Sequence, residues 1–308
     1  MMEDKYYILS ERMKSKITKM ESICLTCDCW TEKHTTTAYL DIIVHFLINT
    51  TMESAMLGVT QLSESHTSVH LAEQIINFCE EWSINIRNVN MVVTDNAENI
   101  KQAVKTVFGT EKYIPCFDHT LNLIPKAALT KKIIYDNEIA NSNIPDVFDL
   151  IKKVKTIVTF SHKSYNFSDM LKKIQMQRGK TEELVTIRTI SSILRPFTKA
   201  TKEMSAEHST TISKIIPMVY ILREKIRSIN VLDFDPVAEK FRRFILAELN
   251  RRFMNIEQNV PIAIATILDP RFKKTYFNDR VAISGALNHI SNEMKQMIQK
   301  QICNFLLF

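Results

Sequence analysis

Glycine is scarce in this chain, with 4 in 308 residues, alongside 8 prolines and 2 tryptophans. So little Gly and Pro excludes collagen-like, Pro-rich linker and low-complexity readings. The four glycines stand far apart, so no P-loop, no GxGxxG and no GxSxG is present, and HExxH is missing too. Nucleotide-binding and hydrolase chemistries lose their usual signatures. Six cysteines are too few for a disulfide scaffold at this length, which points to a reducing interior, cytosol or nucleus. Apolar runs such as Ile42 to Val44 and Ile262 to Ile264 fall far short of a membrane span, so no membrane partner is expected. The opening Met1-Met2-Glu3-Asp4-Lys5 has no apolar segment of the secretory type.

What remains is ordinary globular material, 45% hydrophobic and 24% charged, enough for one large domain or two smaller ones. Its texture changes near residue 130. A short basic helix over Leu9 to Met20 leads in. Ile23 to Trp30 and Thr37 to Ile48, rich in β-branched and aromatic residues, predict strands. Asn49-Thr50-Thr51 predicts a turn into a third strand, Ser54 to Leu62, antiparallel to the second. Thr67 or Ser68 can cap a helix carrying Ala72, Ile75, Ile76 and Cys79 and ending near Trp82. Val89 to Thr94 reads as a fourth strand, followed by the helical stripe Ile100, Ala103, Val104, Val107. Tyr113 to Cys116 is a short fifth strand, and the helix from His119 is predicted to stop at Pro125. This order describes a mixed α/β sheet with helices on its faces.

Beyond residue 130 amphipathic helices dominate. Val147 to Phe160 and Met170 to Met176 come first. Stripes at Ile187, Ile190, Leu194, Phe197 and at Ile212, Ile215, Ile216, Val219 follow. Asp235-Pro236 is a helix start with Pro at the first helical position, and Phe241, Phe244, Ile245, Leu249 and Phe253 face inward behind it. The net charge is +6, but residues 151–180 alone carry +7. Lys152, Lys153, Lys155, Lys163, Lys172, Lys173, Arg178 and Lys180 are opposed there only by Asp169. A basic face of this kind suits a polyanion such as DNA, while a solvated helix face is the plainer account.

Two acids stand out. Asp28 lies inside an apolar strand, where a carboxylate must be paired, protonated or metal-bound. Asp95 closes the fourth strand, where ligands gather in open α/β sheets, although Asp there is also a natural N-cap. If the first and fourth strands are neighbours, the two carboxylates converge and can hold Mg²⁺, which prefers oxygen ligands and keeps waters. Cys24, Cys27, Cys116 and His119 have the spacing of a four-ligand zinc site, but strand alternation points Cys24 and Cys27 to opposite faces. Cys116 and His119 then form a local pair at a strand-to-helix junction.

These residues fall into recognisable words. Thr26-x-Asp28-x-Trp30-Thr31, Val93-Thr94-Asp95-Asn96-Ala97-x-Asn99 and Cys116-x-x-His119-Thr120-Leu121-Asn122-Leu123 resemble the hAT superfamily of DNA transposases, nearest to BED-type zinc-finger proteins derived from them. Leu194-x-Pro196-Phe197-x-x-Ala200-Thr201 and Leu268-Asp269-Pro270-Arg271-Phe272-Lys273 resemble that family's helical region. The resemblance implies a ribonuclease H-like mixed sheet of about five strands over residues 21–130, after the lead-in helix of residues 1–20. An all-helical insertion domain over residues 131–308 would follow. It assigns Asp28 and Asp95 to the first two positions of a metal-binding acidic triad, with Cys116 and His119 as the assisting CxxH. It also implies a nuclear protein whose partner is DNA.

The departures from the family shape the expectation. No BED finger precedes residue 20, no Trp follows Trp82, and Phe308 comes only 35 residues after Lys273. The triad's glutamate has no match, since Glu293 fits no family motif. We therefore expect a truncated copy with weak or vestigial Mg²⁺ binding and absent or residual cutting. It would carry no zinc finger, and homodimerisation would be impaired without the family's C-terminal region. The alternatives are a fragment of an active DDE-type transposase and a protein-interaction scaffold without DNA contact.

Overall fold

The computed structural model describes the chain except residues 1, 33, 36, 50, 63–66, 131–146, 164–181, 206–210, 233–234 and 307–308. It divides into two compact units, Met1–Thr120 and Leu121–Phe308. The first opens with α1 (Met2–Ile17), which begins seven residues before the predicted Leu9 and ends three before the predicted Met20. Three strands follow, β1 (Ile23–Thr31), β2 (Ala38–Ile48) and β3 (Thr51–Leu62). Next come α2 (Ser68–Glu81), β4 (Val89–Thr94), α3 (Glu98–Phe108), β5 (Tyr113–Pro115) and α4 (Phe117–Thr130).

The five strands form one mixed sheet in the order β3-β2-β1-β4-β5. β2 runs antiparallel to both β1 and β3, while β4 is parallel to β1 and β5. This is the predicted ribonuclease H-like arrangement, with β1 at its centre. Strict alternation explains it: Ile23, Leu25 and Cys27 of β1 and Leu40, Ile42, Val44 and Phe46 of β2 are buried, while the residues between them are not. The buried face belongs to one core with α2 and α3, to which α1 contributes Ile17. Thr67 caps α2 as expected, its side chain accepting the His70 N–H at 3.3 Å.

One boundary differs from the sequence reading. α4 does not stop at Pro125 but runs on to Thr130. Proline removes one backbone donor, yet Leu121 and Ile124 before it and Ala127 and Ala128 after it are all buried. Burial of that apolar side outweighs the missing hydrogen bond.

The second unit contains α5 (Val147–Lys163), α6 (Glu182–Met204), α7 (Ile215–Arg227), α8 (Pro236–Arg252), α9 (Val260–Leu268) and α10 (Arg280–Leu306). α8 packs on α6 and α7. Its predicted inward residues Phe241, Ile245, Leu249 and Phe253 are buried, whereas Phe244 is only half-buried. The predicted start holds as well: Asp235 caps the helix through Oδ1, which accepts the Ala238 N–H at 3.0 Å, and Pro236 takes the first helical position. Asp235→Ala is expected to cost about 1 kcal/mol, measurable as a lower urea midpoint at unchanged slope. The predicted helix over Met170 to Met176 lies outside the described residues.

Candidate functional site

The register between β1 and β4 pairs Cys27 with Thr94, the last residue of β4. Asp28, inside β1, and Asp95, just past the end of β4, each follow this last pair, so the two acids flank the point where the β1–β4 pairing stops. Cys27 and Thr94 are both buried, and alternation turns Asp28 to the other face of β1. Asp28 is exposed and Asp95 half-buried. Cys29 has its thiol pushed up to about 12, first by burial and then by the charges of Asp95, Asp28 and Asp41.

Asp95 is not the helix cap. The residue capping α3 is Ala97, which has no side-chain cap bond, and Asp95 Oδ1 accepts the Ala97 N–H at 3.1 Å. This turn fixes the carboxylate's direction and still leaves its second oxygen unused by that bond. Asn96 Nδ2 donates to Thr120 Oγ1 at 2.8 Å, and that hydroxyl donates to the Cys116 carbonyl at 2.8 Å. The Cys116 N–H in turn bonds the Thr94 carbonyl at 2.7 Å. The strand end carrying Asp95 is thereby tied to the start of α4.

Cys116 sits at that junction with its thiol raised, chiefly by burial. Hydrogen bonding from the His119 and Asp118 backbone opposes the shift, and the charges of Asp118 and Asp28 add to it. The Cys116 bond to Thr94, the last residue of β4, puts the CxxH segment at this edge of the sheet. His119 lies in the first turn of α4 and is exposed. Cys24 and Cys27 occupy opposite faces of β1, as alternation requires, and both are free thiols.

Sequence reasoning missed the residues across the hairpin. Asp41 of β2 pairs directly with Asp28, and Tyr39 with Trp30. Asp41 Oδ1 is buried without a hydrogen-bond partner, and the carboxyl is raised by burial and then by the Asp28 charge. Trp30, 44% exposed, stacks on Tyr39 with ring centroids 4.6 Å apart. Further along the same face, Thr26 Oγ1 and His45 Nε2 are 2.9 Å apart. The signal for Asp41 was its place as a lone acid in an apolar run, but only the register shows which residue it opposes.

Could this edge hold Mg²⁺? The donor set is of the right chemistry, since carboxylates on adjacent strands with room for water are a common Mg²⁺ mode. It is nevertheless sparse: among the described residues no group of three or more His, Cys, Asp or Glu is close enough to form a ligand cage. The carboxylates of Asp28 and Asp95 are the groups that could hold such an ion here.

Of the predicted basic residues, Lys152, Lys153 and Lys155 are exposed on α5, with Lys153 paired to Glu183 at 2.8 Å. The side chain of Lys163 and all of Lys172, Lys173, Arg178 and Lys180 lie outside the described residues.

The two helical words have structural content. Thr201 donates to Asn122 Oδ1 at 3.3 Å, linking Leu194–Thr201 to the end of the CxxH word. Asp269 accepts from Arg271 Nε at 2.9 Å and Nη2 at 2.6 Å, and from Ser213 Oγ at 2.8 Å. Bonding to Arg271, before other causes, holds the Asp269 carboxyl well below the usual carboxylate range. A depressed carboxyl contributes stability above its unfolded value and loses it as pH falls through the folded one. Asp269→Asn should therefore lower the thermal midpoint by a constant amount from neutral pH down to about pH 4, with the penalty shrinking only below that. A penalty that faded between pH 7 and 5 would contradict this assignment.

Residues 26–112 match the family model of the ZBED1 RNase-like domain. The chain is 24% identical over 264 residues to human zinc finger BED domain-containing protein 4 (Homo sapiens), covering 74% of this chain and 22% of that protein. It is 21% identical over 209 residues to a putative transcriptional regulator, tpeD, of Talaromyces stipitatus, covering 59% of this chain and 24% of that protein. The chain thus spans about a quarter or less of the length of these relatives.

Proposed function

We propose, for a chain that is a relative of the BED-type proteins derived from hAT transposases, a nuclear, DNA-associated role without efficient strand cutting. The observation that supports it most is the place of Asp28 and Asp95 where the β1–β4 pairing stops, with no group of three ligands able to hold a metal among the described residues even though Asp41 opposes Asp28. In a complete site, bound Mg²⁺ would activate a water or a 3′-hydroxyl and stabilise the leaving oxygen of a phosphodiester. Here Asp28 and Asp95 would orient one ion weakly, and Cys116 and His119 would flank the edge. Bound there, such an ion would supply positive charge for a phosphate. Two carboxylates alone do not enforce the in-line geometry that cleavage requires.

A second reading follows from the chain's coverage of only 22% of its human relative. Sequence beyond this stretch would then supply a third acid, and the whole protein would be a metal-dependent transposase. A nicking assay on supercoiled DNA separates the two. The proposal expects no Mg²⁺-dependent nicking above background. Robust nicking that disappears in Asp28→Asn would overturn it in favour of the enzyme.

A further inference from the structure

The helical unit carries a row of cations that its acids do not neutralise. On α6, Arg188, Arg195, Lys199 and Lys202 are all exposed. Their spacings of seven, four and three residues place them within an arc of about 60° and along about 21 Å of helix. The residues that α6 buries, among them Ile190, Ile193, Phe197 and Ala200, lie on the opposite side. A solvated helix face usually pairs such cations with acids three or four positions away, and α8 does so. There Arg242 and Arg243 bond Glu239 at 2.6 and 2.9 Å, while Arg251 and Arg252 bond Glu248 at 2.8 and 3.0 Å. The acids of α6 whose side chains are described are used elsewhere: Glu183 pairs with Lys153 and Glu203 with Lys214. None of the four α6 cations forms an ion pair among the described residues. Beside the row, a cleft of about 420 Å³ between α6 and α7 is lined by Arg195, Lys199 and Lys225 above Pro196, Met218 and Leu222. Lys225 is likewise exposed and unpaired among the described residues.

We infer that this α6 row, with Lys225 at its flank, is the surface on which the helical unit tracks the phosphate backbone of duplex DNA. The inference rests on the proposed DNA association and moves its centre from residues 151–180 to α6. A line of unpaired cations about 21 Å long matches a polyanion with regularly spaced charges better than a compact ligand. Two of the four are Arg, whose fork geometry suits phosphate. Backbone contacts of this kind give affinity and register but no sequence preference.

The test is the salt dependence of binding to an arbitrary duplex, followed by fluorescence anisotropy between about 50 and 200 mM salt. The full chain is compared with a variant carrying Arg188→Gln, Arg195→Gln, Lys199→Gln and Lys202→Gln. A control removes the same number of charges elsewhere in the unit, through Lys273→Gln, Lys274→Gln, Arg280→Gln and Lys295→Gln. The row variant should lose about 3.6 from the slope of log affinity against log salt, roughly 0.9 per phosphate contact, while the control keeps most of its slope. Thermal unfolding verifies that each variant is folded. If the quadruple variant is not, Arg195→Gln with Lys199→Gln should remove about 2 from the slope, and Arg195→Lys should keep it. An unchanged slope in the row variant, or an equal loss in the control, overturns the inference and leaves DNA association standing. Absence of salt-dependent duplex binding by the unaltered chain overturns both. Loss of binding to polyglutamate with duplex binding intact would assign the row to an acidic protein partner instead.

Discussion

Phe241→Ala is expected to destabilise the helical unit by about 3–5 kcal/mol, the range for deleting a fully buried aromatic side chain. The ring is fully buried on α8, which packs on both α6 and α7. Truncation removes its transfer energy and leaves a cavity that three converging helices cannot all move to fill. In a unit of this size the thermal midpoint should fall by roughly 6–20 °C. The half-buried Phe244 on the same helix provides the comparison. Phe244→Ala should cost clearly less, because water already reaches its ring. Equal losses at the two positions would mean that the inward face of α8 is misassigned.

The second large effect belongs to the sheet. Leu25 is 1% exposed at the centre of β1, between Val44 of β2 and Val92 of β4, which are both fully buried. Leu25→Ala should cost about 2–5 kcal/mol. Cys24, its neighbour on the other face, is only half-buried, so Cys24→Ala should stay within about 1 kcal/mol. Because Asp28 lies three residues along the same strand, loosening β1 also loosens the edge that holds the two acids. Urea unfolding of the pair of variants measures the contrast, and its reversal would mean that β1 is turned over in the sheet.

Much of this architecture was readable from the chain because the readable parts are local. Alternation in Ile23–Thr31 and Ala38–Ile48 marks strands that bury one face, and it also sets Cys24 and Cys27 apart. Asp235-Pro236 needs only three residues to act as a cap and first turn. The errors occurred where distant residues decide the outcome. Pro125 breaks helices by local rules, yet the buried residues on either side carry α4 through it. Asp95 had the composition of an N-cap, but the chain makes one more turn and leaves Ala97 in that position. Asp41 was invisible as a neighbour of Asp28 because its partner is set by hairpin register, which a pattern of period two does not fix. The unpaired row on α6 was hidden for a similar reason. Composition counts cations, whereas only the fold shows that Glu183 and Glu203 turn toward Lys153 and Lys214. The emphasis on residues 151–180 followed charge density alone.

The account depends on Asp28 and Asp95 sharing one cation where the β1–β4 pairing stops. Backbone cutting by hydroxyl radicals generated at bound Fe²⁺, used in place of Mg²⁺ on the full chain, tests this most directly. Cuts are expected in two places, within β1 near Asp28 and after β4 near Asp95, both suppressed by excess Mg²⁺ and both lost in Asp28→Asn. Cutting at only one of these segments, or cutting at both that persists in Asp28→Asn, would contradict a shared site.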